Sequence, residues 1–152
     1  MSFRLEWSIE GDKQLSRVLI GMASGMKDYS FPFRQSADYL KGVFSKDVFD
    51  TQGAVIGERW KRLSPYTVAQ KARRGFPLTP LIGTGRMRDS FQSIVSTDQA
   101  VVYNTSPYFG YHQSNKPRER LPRRVMMKLH DPGKAQIVKF FQAHIRAAMQ
   151  RP

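Results

Sequence analysis

Residues Phe91–Thr105 read FQSIVSTDQAVVYNT. Two runs rich in β-branched and aromatic residues, FQSIVST and AVVYNT, flank the polar pair Asp98-Gln99. This is the pattern of a β-hairpin. Around it the chain is mostly helical in period. Phe33, Ala37, Leu40, Phe44 and Val48 recur at spacings of four, three, four and four, which predicts an amphipathic helix over about residues 31–50. Ser30 or a residue near it can act as a cap, and Pro32 suits the first helical turn.

Further upstream, Phe3, Leu5, Trp7 and Ile9 alternate with polar residues and predict a half-buried strand. Asp12 can cap a helix carrying Leu15, Val18, Leu19 and Met22. Downstream, Asp131-Pro132 is a cap and first turn. Ile137, Phe140, Phe141, Ile145 and Ala148 then mark a C-terminal helix. The middle is irregular: RRGFPLTPLIGTG carries three glycines and two prolines. The expected fold class is therefore α+β: a small antiparallel sheet, an N-terminal helical region, a long irregular middle and a C-terminal helix. At 152 residues the chain fits a single domain, 1–152.

With no cysteine, disulfides, thiolate zinc sites and cysteine nucleophiles are excluded. MSFRLEWSIEGDK lacks the apolar core of a signal peptide. No apolar run approaches the roughly 20 residues of a membrane span. The expected setting is the cytoplasm, or an assembly built there.

The net charge of +13 is placed unevenly. Residues 1–57 hold seven Lys+Arg and seven Asp+Glu, whereas residues 58–152 hold eighteen and five. Such an excess suits a polyanionic partner, either nucleic acid or an acidic protein surface. It is densest after PYFGYHQSN, where Lys116, Arg118, Arg120, Arg123 and Arg124 follow one another around Pro117 and Pro122. These five are the candidate polyanion contacts, with Tyr108, Phe109 and Tyr111 close by for stacking. No recognition-helix signature accompanies them, so sequence-specific readout is not expected.

Catalytic chemistry finds little support. His112, His130 and His144 lack metal-ligand spacing, and the acids of the second half are sparse. The Gly-x-Gly of PLIGTGRM lacks the remainder of a phosphate loop. His144 falls near the apolar face of the last helix, and His130 sits at a turn. No enzyme activity and no cofactor are expected.

Several residues read instead as structural. Trp60 is a large anchor for the core or an interface, after a loop bracketed by Gly53 and Gly57. Ser64-Pro65 caps a short helix reaching about Arg74. Thr84 can cap a helical turn holding Met87 and Ser90, and Gly83 and Gly85 serve backbone geometry. His112 and Gln113 can pin a loop by hydrogen-bonding its backbone.

Four boxes stand in order along the chain. Trp60, Leu63, Ser64, Pro65, Thr67 and Lys71 form the first. Leu81, Thr84, Gly85, Met87 and Ser90 form the second. Asn104, Tyr108, His112 and Gln113 form the third, and Pro122, Arg123 and Arg124 the fourth. Together they span about Phe49 to Leu129. This order resembles the phage virion morphogenesis family, which includes the Mu-like and P2-like tail-completion proteins. The resemblance implies a non-enzymatic virion protein of the head–tail neck, assembled in the host bacterial cytoplasm. It implies a homo-oligomeric ring of six copies, with twelve the alternative. The partners would be neighbouring neck and tail proteins and channel DNA in non-specific contact, with no membrane. A basic nucleic-acid-binding module is the rival reading.

Overall fold

The computed structural model describes residues 4–8 (backbone only), 28–114 and 121–149. The chain is α+β, as expected. The elements that frame the rest are strands β1 (Arg4–Ser8), β2 (Phe91–Val95) and β3 (Gln99–Asn104). The helices are α1 (Ser30–Gly42), α2 (Pro65–Arg73), α3 (Phe109–Gln113) and α4 (Asp131–Met149). The strand order is β1-β3-β2. The middle strand β3 is hydrogen-bonded along both edges, and its residues Ala100, Val101 and Val102 are all buried in succession. The β2–β3 pair is the expected antiparallel hairpin. Its turn is closed by the Ser96 amide donating to the Gln99 carbonyl at 2.9 Å and by the Ser96 hydroxyl on Asp98.

The helix over 31–50 forms, with an added device. After Gly42 it widens into a π-helical turn, Val43–Asp47, where the Val48 amide reaches the Val43 carbonyl. It then resumes as Val48–Asp50. Steps of four residues drift around an α-helix of 3.6 residues per turn, and a wider turn brings them back into line. Phe33, Ala37, Leu40, Phe44 and Val48 are accordingly all buried. At its start the nearby Asp28 and not Ser30 supplies the cap: the Asp28 carboxylate accepts from the Ser30 amide at 2.9 Å. Hydrogen bonding from Ser30, from its side chain first and then from this amide, holds the Asp28 carboxyl below its ordinary pKa.

By packing, the described residues fall into two compact units. One gathers 4–8, 28–41, 93–102 and 129–149. In it Phe33 meets Phe141 edge to face at 4.8 Å, and Tyr29 also packs on Phe141. Ile137, Phe141 and Ile145 form the buried stripe of α4, with Pro132 in its first turn. His144 is a boundary residue: its ring lies 6.3 Å from Tyr29, and its Nε2 is 3.2 Å from the Asp28 carbonyl.

The other unit gathers 42–92, 103–114 and 121–128 and contains all four boxes. Its core joins Phe44, Phe91 and Phe109 in a chain of ring contacts at 5.8–5.9 Å. The helix entering it stops at Gln52 and Gly53, both left-handed, and the Gly53 amide donates back to the Val48 carbonyl at 2.8 Å. Only glycine suits position 53. Its φ is +84°, and a Cβ there would run into the Glu58 carbonyl and lie 2.7 Å from Trp60 Cδ1.

The expected helix after Asp12 lies outside the described residues, as do Lys116, Arg118 and Arg120. No helix among the described residues is long and apolar enough to cross a membrane.

Candidate functional site

Trp60 follows directly from the glycine turn. Its amide donates to the Gln52 carbonyl at 2.7 Å, which folds the indole back onto Phe49, edge to face at 5.2 Å. It is buried, and its Nε1 donates to the Val125 carbonyl at 2.7 Å. Of the two roles expected for it, the structure shows the core one.

Four residues later Ser64, in extended conformation, caps α2: its hydroxyl accepts from the Thr67 amide at 3.2 Å, and Pro65 opens the helix. Ser64, Thr67 and Lys71 stand at i, i+3 and i+7 and therefore share a face. Lys71 Nζ donates to the Thr79 carbonyl at 2.6 Å, which ties α2 to the irregular segment that follows. In that segment Leu81 has φ +66°, a conformation that costs a side-chain-bearing residue of order 1–2 kcal/mol.

Gln113, at the end of α3, does what was expected of it. Its Oε1 accepts from the amides of Met126 (3.0 Å) and Met127 (3.2 Å), and its Nε2 donates to the Met127 carbonyl (2.7 Å). The side-chain amide thus replaces a strand neighbour for a buried, irregular stretch of backbone. Beside it the Arg124 amide donates to the His112 carbonyl, and Arg123 Nε to the Gln113 carbonyl.

Arg124 requires a correction. It was expected to face a polyanion, but it is 4% exposed. Its Nε donates to the Lys61 carbonyl (3.0 Å) and its Nη2 to the Arg62 carbonyl (3.3 Å). A guanidinium fits two adjacent carbonyls with its planar fork. It joins the fourth box to the first.

These ties border a half-open cavity of about 610 Å³. Every box contributes to its wall: Leu63, Ser64, Thr67 and Lys71 from the first, Leu81 from the second, His112 from the third, Pro122 and Arg124 from the fourth. Lys61, Arg62, Ile82, Gly83 and Leu121 complete it. Four of its lining residues are cationic, and among the described residues no carboxylate residue lines it. Burial lowers the pKa of Lys71, and the positive charge of Arg124 lowers it further. Burial also lowers that of Arg124.

No known family, curated protein or solved structure matches the chain.

Two further expectations are corrected. The helical turn at Arg88–Ser90 has no side-chain cap, so Thr84 does not cap it, and Thr84 is exposed. The turn is instead fastened by the Asp89 amide on the Gly85 carbonyl (3.0 Å) and the Ser90 hydroxyl on the Arg86 carbonyl. Gly85 has φ +83° and serves backbone geometry. Gly83 does not: its φ is not left-handed, and a Cβ there would meet nothing. In the third box Asn104 bridges to the second, its Nδ2 donating to the Met87 carbonyl at 2.8 Å. Tyr108 and Tyr111 are exposed.

Lys61, Arg62, Ile82 and Leu121 were not singled out from sequence. The shared helical face of Ser64, Thr67 and Lys71 was the available signal. Among the described residues no group of three or more His, Asp or Glu could hold a metal ion.

Proposed function

We propose that this chain is a structural protein of a phage virion, forming a homo-oligomeric ring at the head–tail neck. The observation that carries the reading is the convergence of the four boxes. Segments up to about 60 residues apart in sequence, in the order of the tail-completion family, pack as one unit around one cavity. Their polar members act as struts. Trp60, Gln113 and Arg124 each spend their hydrogen bonds on backbone groups of another segment, at Val125, at Met126 and Met127, and at Lys61 and Arg62, as a scaffold requires.

The same unit exposes Tyr66, Leu78, Tyr108, Tyr111 and Leu121. A ring would cover part of that apolar surface. Native mass measurement of the purified protein tests the reading. Six copies of the 17.5 kDa chain are expected, with twelve the alternative. A monomer at all concentrations and ionic strengths overturns it.

The +13 charge favours a second reading, a basic module that binds nucleic acid without sequence preference. A monomer whose DNA affinity falls steeply with salt would select it over the first.

A further inference from the structure

We infer that the cavity walled by the four boxes is a docking site for a short acidic and aliphatic peptide segment of a partner protein. It rests on the reading above only in taking the occupant to be a protein of the assembly.

Three properties of the cavity specify that occupant. The first is charge. Lys61, Arg62, Lys71 and Arg124 line it, and among the described residues no carboxylate does. The ion pairs of the same unit lie elsewhere, at Arg88–Asp89 and Lys128–Glu58. Carbonyl oxygens of Thr79, Lys61 and Arg62 orient Lys71 and Arg124. They do not neutralise them. Two like charges partly withdrawn from water in one wall oppose folding, and a bound carboxylate relieves that opposition.

The second property is the rest of the lining. Leu63, Leu81, Ile82, Leu121 and Pro122 are aliphatic, and His112 carries the one aromatic ring among the lining residues, with no Phe, Tyr or Trp. A site for nucleic-acid bases presents aromatic faces for stacking. This one presents side chains that pack leucine, isoleucine or valine. The third is size. About 610 Å³ lies within the range of roughly 300–1,000 Å³ found for pockets that hold a discrete ligand group. It suits a few residues of extended chain and not a helix.

Leu81 gives the site a further mark. A leucine held at φ +66° at the cavity wall is strained backbone retained where the occupant would touch it.

The probe is a short dye-labelled peptide of alternating glutamate and leucine, followed by fluorescence anisotropy and by amide chemical-shift mapping on the full chain. Saturable binding is expected, with shifts centred on residues 61–71, 81–83 and 121–124. Lys71→Met is expected to weaken it about tenfold or more. Arg73→Met, which removes the same charge from an exposed position outside the lining, is expected to leave it within about twofold. Should Lys71→Met fold poorly, Ile82→Glu replaces it. That change sets a carboxylate at the cavity wall, so it abolishes peptide binding while thermal melts report the fold intact.

Equal losses in Lys71→Met and Arg73→Met overturn the inference, because they signal diffuse attraction to a basic surface. So does binding of the glutamine-for-glutamate peptide as tightly as the acidic one. Displacement by a single-stranded oligonucleotide or inorganic phosphate at the same residues, with equal or higher affinity, overturns the peptide assignment. Ring formation is read separately by mass. A ring that ignores the peptide sinks this inference alone, and a monomer that binds it sinks the ring alone.

Discussion

Replacing Gln113 by alanine removes three hydrogen bonds at once. The Met126 and Met127 amides lose their common acceptor, and the Met127 carbonyl loses its donor. Both methionines are buried, at 0% and 6% exposure, so water does not reach the freed groups without local opening. A net hydrogen bond contributes about 1 kcal/mol, and a buried group left unpaired costs as much again or more. The expected loss is therefore about 3 kcal/mol or more. Urea unfolding followed by tryptophan fluorescence measures it, since Trp60 is tied to the same stretch through the Val125 carbonyl. Gln113→Met, which keeps the volume and loses the bonds, is expected to lose nearly as much. Hydrogen exchange at the Met126 and Met127 amides should accelerate in both variants. A loss below about 1 kcal/mol with unchanged exchange at those amides would refute the claim that Gln113 supports this backbone.

The other expectations follow from single contacts. Trp60→Phe keeps a ring against Phe49 but orphans the Val125 carbonyl, so denaturant titration should show a loss of about 1–2 kcal/mol. Gly53→Ala collides with the Glu58 carbonyl and the Trp60 ring, whereas Gly57→Ala, at φ +74°, meets nothing. The second should cost only about 1 kcal/mol in a thermal melt and the first markedly more. Ser64→Ala removes the α2 cap and should cost about 1 kcal/mol by the same melt.

Lys71 supplies a pH test. Its folded pKa lies below the ordinary 10.5, so the unfolded chain binds the extra proton. Stability from this group therefore rises with pH between the lowered pKa and 10.5. In paired melts, wild type should gain on Lys71→Met across that window. A constant difference would contradict the direction of the shift.

Much of the fold was legible because periodicity reports burial. The stripe Phe33, Ala37, Leu40, Phe44, Val48 is buried throughout, and the hairpin stands where β-branched runs flank Asp98. The Ser64-Pro65 cap and the Gln113 pin were equally readable, since both act over short range or through one side-chain type. What escaped depends on tertiary company. Arg124 sits in a run of cations and was read as surface, but the Lys61 and Arg62 carbonyls, about 60 positions upstream, hold it inside. The cavity itself is assembled from segments that only the folded chain brings together. Thr84 and Gly83 had the residue types of a cap and a turn, yet Gly85 alone provides the needed left-handed geometry.

The burial of Arg124 also sharpens the interface test. Charge reversal belongs at Lys116, Arg118, Arg120 and Arg123, and Arg124 should be left in place because its reversal would unfold the cavity wall. The central claim is most directly tested by averaging electron cryomicroscopy images of intact phage particles carrying this chain. The account predicts a closed ring of six copies, or twelve, at the junction of head and tail. Particles that lack the chain, or that hold it along packaged DNA with no ring at the neck, would contradict it.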